Sequence, residues 1–128
     1  MDRKEFSNLV GGTLRHLTLK TNLPGIRQNG LLRASTLKGA AKEVSPPPCP
    51  RSEPCTFEFG GLPVTLNHQK PLLAGRISEA DFLDGHCLES WAIDLDHRLF
   101  FWPGGRGADF SSSLTDRGTV IALECDAT

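Results

Sequence analysis

Along this chain the apolar positions fall into short clusters separated by Gly and Pro, not into one long period. Residues 2–9 predict a short helix with Phe6, Leu9 and Val10 on one side, stopped by Gly11-Gly12. The run Thr13–Thr18, T-L-R-H-L-T, alternates and predicts a strand. Thr21 or Asn22 then caps a helix with Pro24 in its first turn, Leu23, Ile26 and Leu31 facing one way, and Gly30 in the left-handed position that ends it. Ser35 caps a second helix reaching about Glu43.

Residues 45–54 hold five prolines and one cysteine among ten positions, which excludes a helix or a central strand and predicts an extended surface loop. Thr56–Phe59 and Leu62–Leu66 flank Gly60-Gly61 and predict a β-hairpin, followed by a polar loop over 67–71. Ser78 to Asp81 has the spacing of a helix start, and residues 87–96 put Leu88, Trp91, Ile93 and Leu95 in a helical window. Arg98–Trp102 is an apolar, aromatic strand closed by Pro103-Gly104-Gly105. A short helix over 108–114 and a strand over 119–124, T-V-I-A-L-E, complete the order. There is no internal repeat. Helices and short strands are mixed, so the class is α+β, in one domain spanning residues 1–128.

Composition narrows the functions. The 128 residues carry 14 Lys and Arg against 15 Asp and Glu, a formal charge of −1, which argues against a polybasic nucleic-acid or membrane-surface binder. No apolar run approaches the ~18–20 residues a bilayer requires, and the start M-D-R-K-E-F lacks the apolar stretch of a secretory signal, so a cytoplasmic protein is expected. Cys49, Cys55, Cys87 and Cys125 form no C-x-x-C pair, and reduced thiols without a metal are the expected state.

Candidate chemistry is sparse. Gly104-Gly105-Arg106-Gly107 lacks the spacing of a dinucleotide or Walker loop and is expected to be a tight turn. There is no G-x-S-x-G elbow and no H-E-x-x-H pair, and no Cys-His combination stands out. Asp94/Asp96 and Asp81/Asp84 are expected on solvated faces. A histidine inside a strand, His16, with Thr18 two positions on, can hydrogen-bond a ribose or an amide. A lone histidine of this kind is usually a satisfied core residue.

The stretch R-H-L-T, eight residues, then R-Q-N-G-L-L resembles the first motif of the ADP-ribosyltransferase superfamily, including RNA 2′-phosphotransferases and DarT-type DNA ADP-ribosyltransferase toxins. The later run L-F-F-W and then D-R-G-T-V-I-A-L-E-C-D-A is similar to the 2′-phosphotransferase pattern. From Leu14 to Ala127 the chain also resembles a family of uncharacterised bacterial proteins. The shared residues are His16, Ile26, Gly30-Leu31-Leu32, Gln69-Lys70-Pro71-Leu72, Leu83-Asp84-Gly85, Trp91 and Arg98–Trp102.

The resemblance implies a small split antiparallel sheet with short helices, lacking C-terminal strands that the relatives carry beyond this point. It implies NAD as substrate, or an ADP-ribosylated nucleotide, with ADP-ribose passed to a nucleic-acid or protein acceptor. His16 would bind the ribose. Thr18, Leu32 and Arg33 would line the nicotinamide and phosphate side. Trp102 stands where relatives place Ser or Tyr near the nicotinamide. Arg117 would contact phosphate, and Glu124 would stabilise the oxocarbenium-like transition state. The alternative is a non-catalytic nucleotide- or protein-binding module derived from the same fold.

Overall fold

The computed structural model describes residues 1–40, 50–69, 77–104, 106–107, 111–112 and 118–127. The chain is α+β, with short helices and two small antiparallel sheets among the described residues. It divides into two compact units. Met1–Leu23 with Phe100–Thr128 form the first, and Pro24–Leu99 form the second.

The first unit begins with helix α1 (Arg3–Val10). Asp2 caps it: its carboxylate accepts from the Glu5 N–H at 2.8 Å, and the Glu5 carboxylate accepts from the Asp2 N–H at 2.8 Å. Phe6 and Val10 are half-buried, but Leu9, expected on the same side, is 75% exposed. Strand β1 (Thr13–Leu19) is the middle of a three-stranded sheet. It pairs with β5 (Val120–Asp126) along its whole length, from Thr13 opposite Asp126 to Leu19 opposite Val120. On its other edge is β4, the two residues Trp102–Pro103, opposite Arg15 and Leu14.

The second unit is built on a hairpin. Strands β2 (Cys55–Phe59) and β3 (Leu62–Leu66) pair in register, with Phe59 opposite Leu62. Gly60 and Gly61 both have positive φ (60° and 77°), the turn that matches strand twist and that side chains with a Cβ rarely adopt. The inward face carries Phe57, Val64 and Leu66, packed against Ala34 and Leu37 of helix α3 (Ala34–Ala40). Helix α2 (Leu23–Asn29) has a buried Gly25, on which a Cβ would lie 3.9 Å from Val64 Cγ2, and it caps the hairpin turn through Gln28, whose amide donates to the Gly60 carbonyl at 3.3 Å. Gly30 ends α2 at φ 79°, as its position predicts. A single 3-10 turn covers Glu79–Asp81, and helix α4 spans Leu88–Asp96.

Three expectations change. Arg98–Phe101 is not strand. The Arg98 N–H bonds back to the Leu95 carbonyl and its guanidinium to Asp94 at 2.9 Å, so the end of α4 holds Arg98. Pro103, expected to stop a strand, sits within β4; this is an edge strand, where a missing N–H is tolerated. On α4, Trp91 and Ile93 are exposed and Ala92 is fully buried, so the inward stripe is Leu88, Ala92, Leu95 and Asp96. The expected short helix at 108–114 lies largely outside the described residues, as do residues 41–43 of the helix expected from Ser35, the first half of the proline-rich loop, Cys49 and Lys70–Leu72.

Candidate functional site

Side chains alternate across a strand, and residues opposite each other in a sheet share a face. Leu14, His16 and Thr18 therefore share one face of the first unit's sheet with Ile121, Leu123 and Cys125. Arg15, Leu17 and Leu19 share the other with Val120, Ala122, Glu124 and Trp102. His16 and Glu124, expected in one pocket, are on opposite faces.

His16 is half-buried, and its Nδ1 lies 2.9 Å from the carbonyl oxygen of Phe100. A carbonyl can accept but not donate, so Nδ1 carries the hydrogen and Nε2 is the acceptor in the neutral ring. Phe101 flanks the imidazole, ring centroids 5.8 Å apart and planes tilted by 59°. Phe100 and Phe101 are 51% and 37% exposed, so this segment offers apolar surface beside the histidine. Thr18 is buried and its hydroxyl accepts from the Asn22 amide at 3.1 Å. That bond ties the end of β1 to the 3-10 turn Lys20–Asn22.

On the opposite face Glu124 Oε1 accepts from Arg15 at 2.9 Å (Nε) and 2.8 Å (a terminal guanidinium nitrogen). Both side chains are substantially exposed. Glu124 is thus a cross-strand ion-pair partner within β5, not an isolated acid at a strand end. Trp102 is covered by the glycine loop that follows it. A Cβ on Gly107 would lie 2.8 Å from Trp102 Cγ and 3.1 Å from Leu17 Cδ1, and the residue's φ is +100°. The turn expected at Gly104–Gly107 is therefore a packing element, closed by the Arg106 N–H on the Pro103 carbonyl. Arg117 lies outside the described residues.

Leu32 and Arg33 belong to the second unit. Leu32 is half-buried and Arg33 exposed, directly before α3, where its carbonyl accepts the Leu37 N–H. The strongest electrostatic feature of this unit is one the sequence reading missed. Asp96, expected on a solvated face, is 5% exposed. Its two oxygens take the guanidinium of Arg51 at 2.5 and 2.9 Å, and Lys38 of α3 donates to Oδ2 at 3.0 Å. Gln69 donates to the Ala92 carbonyl at 3.1 Å, and its side-chain oxygen accepts the Arg51 N–H at 2.9 Å. Burial alone would push the Asp96 carboxyl up, but the hydrogen bonds and charges of Arg51 and Lys38 outweigh it and hold the group below the ordinary carboxylate range. Asp94, two residues earlier, does fit the solvated reading and pairs with Arg98. The 88-92-95-96 spacing on α4 was the available signal for a buried Asp96.

At the start of α4, Cys87 is exposed and sits below the usual thiol range because the backbone N–H of Ser90, then its hydroxyl, hydrogen-bond to it. His86 Nδ1 is 3.4 Å from the same hydroxyl. Among the described residues, Cys55, Cys87 and Cys125 are free, no three metal-ligating side chains gather, and no helix is long and apolar enough to cross a membrane.

No curated protein and no solved structure matches the chain. A family model does match, over residues 12–128, and its description is a family of unknown function, DUF7002. The match takes in β1, the hairpin, α4 and β5 alike, and with them both His16 and the Arg51–Asp96 cluster. By that coverage, the chain belongs to the DUF7002 family.

Proposed function

We propose that the His16 face of the first unit binds a nucleotide of the NAD or ADP-ribose kind, in the manner of an ADP-ribosyltransferase-like binding module. The observation that carries this reading is the His16 tautomer. With Nδ1–H given to Phe100, Nε2 is an acceptor suited to a sugar hydroxyl, and the ring is held in place by a main-chain group. The exposed rings of Phe100 and Phe101 lie in sequence beside that carbonyl and add apolar surface. The resemblance of R-H-L-T and G-L-L to the superfamily's first motif supports the same ligand class.

ADP-ribose transfer to a nucleic-acid or protein acceptor is the second reading. It rests on the D-R-G-T-V-I-A-L-E run, in which Arg117 and Glu124 match a phosphate contact and a catalytic acid of the superfamily. It requires Glu124 to leave Arg15 and reach a substrate across the sheet, so binding is the better supported reading.

Titration calorimetry of the purified chain with NAD tests the proposal, with His16→Ala and Arg117→Ala alongside. Saturable heat in the parent, lost in His16→Ala while circular dichroism stays unchanged, is the expected result. No heat at millimolar NAD from folded protein overturns it. A large stability loss in His16→Ala without any change in NAD binding assigns His16 to the core. Nicotinamide release, assayed in the same samples, decides between binding and transfer.

A further inference from the structure

The Arg51–Asp96–Lys38 cluster ties together segments that are distant in sequence. Lys38 comes from α3, Asp96 from the last turn of α4, Arg51 from between Pro50 and Pro54, and Gln69 from just beyond β3. Residues 51 and 69 are also joined directly. The Gln69 N–H donates to the Arg51 carbonyl at 2.7 Å, and the Arg51 N–H donates to the Gln69 side chain at 2.9 Å. Arg51 Nε donates to the Asn67 carbonyl at 2.9 Å, so residues 51 and 67–69 form one strap.

The strap is docked through side chains: Arg51 takes both oxygens of the Asp96 carboxylate, and the Gln69 amide reaches the Ala92 carbonyl at 3.1 Å and Asp96 at 3.4 Å. Prolines at 50 and 54 have no backbone N–H with which to join a ladder. Both cations against Asp96 are themselves poorly exposed, Arg51 at 6% and Lys38 at 14% of the side chain. Removing the anion would leave the buried Arg51 and the half-buried Lys38 charges facing each other with little water between them, an arrangement that is strongly unfavourable. Asp94, the other acid of this helix turn, is engaged by Arg98.

We propose that Asp96 is a charge-operated latch. While its carboxylate is ionised, the strap of residues 51 and 67–69 stays docked on α4, beside the Lys38 that α3 brings to the same carboxylate. When the charge is removed, the strap releases in one step and the first unit's sheet stays folded. The device is independent of the nucleotide reading and lies in the other unit.

Hydrogen exchange read by mass spectrometry at neutral pH tests it, on the full chain, with Asp96→Asn and, as a control, Asp94→Asn. In the parent, the Arg51 and Gln69 amides are protected by the bonds described. The expected result is exchange about a hundredfold or more faster in peptides covering Arg51 and Gln69 of Asp96→Asn, with β1 and β5 peptides unchanged and Asp94→Asn like the parent. Unchanged protection at Arg51 and Gln69 overturns the proposal. So does simultaneous loss of protection in β1 and β5, which would make Asp96 a support of the whole chain and not a latch on one strap.

Discussion

Two ion pairs in this molecule use the same chemistry with opposite consequences. Arg15 and Glu124 face each other across β1 and β5 in the open, at 38% and 58% side-chain exposure. Arg51 and Asp96 meet at 6% each, with Lys38 and Gln69 also on the carboxylate. The exposed pair was solvated before folding and stays mostly solvated after it, so it adds little. The buried pair has lost its water, so each partner depends on the other. The units differ in the same sense. The second has a cluster of buried apolar side chains, Phe57, Val64 and Leu66, whereas Leu19 is the buried apolar side chain described in the first unit's sheet.

The sharpest way to break the comparison is Asp96→Ala, which should cost about 3–5 kcal/mol in urea denaturation because the buried Arg51 and the half-buried Lys38 lose their counter-charge. Acid does the same without mutation. Asp96 titrates below its ordinary value when folded, so its stabilisation is fully present above an unfolded-state pKa of about 3.9 and is lost as pH falls through the lower folded value. A pH series of denaturation midpoints checks this: Asp96→Asn should flatten the fall below about pH 4. Leu66→Ala, in the hairpin core beside Phe57 and Val64, should cost about 2–5 kcal/mol and sets the apolar scale for the same unit.

In the first unit the effects shrink. Gly107→Ala should cost about 1–3 kcal/mol, since the new methyl meets the Trp102 ring and the residue already has positive φ; near-ultraviolet circular dichroism of the indole reports it directly. Glu124→Gln should change stability by less than about 1 kcal/mol, and added salt should erase even that difference. A larger, salt-resistant loss at Glu124 would erase the contrast between the two pairs.

Much of the fold was legible because its signals are local. Gly11-Gly12 after a short amphipathic run, Gly60-Gly61 between two alternating runs, and the T-L-R-H-L-T alternation each specify their element within a few residues. The Arg98–Trp102 run misled because aromatic density favours a strand only when a neighbour pairs with it, and the C-terminus of α4 held Arg98 first. The candidate site was legible only in part. His16 could be singled out from sequence, but its separation from Glu124 follows from strand register, which pairs residues more than a hundred positions apart. The Asp96 cluster was hidden for the same reason: a lysine, an arginine, a glutamine and an aspartate scattered over residues 38–96 look like ordinary surface until the chain brings them together.

The division of the chain also fixes an order of events during synthesis. The second unit is continuous, Pro24–Leu99, whereas the first is assembled from both flanks of it. As the polypeptide emerges, the hairpin and α2–α4 are complete while β1 is still waiting for β5, its partner along its full length. Closing that span carries a loop entropy which grows only slowly with length, and an already compact insert shortens the effective span. The hairpin unit is therefore expected to form first on the ribosome, and the His16 sheet last. Until then β1, with its unpaired edges, is the segment most exposed to wrong pairing with other nascent chains.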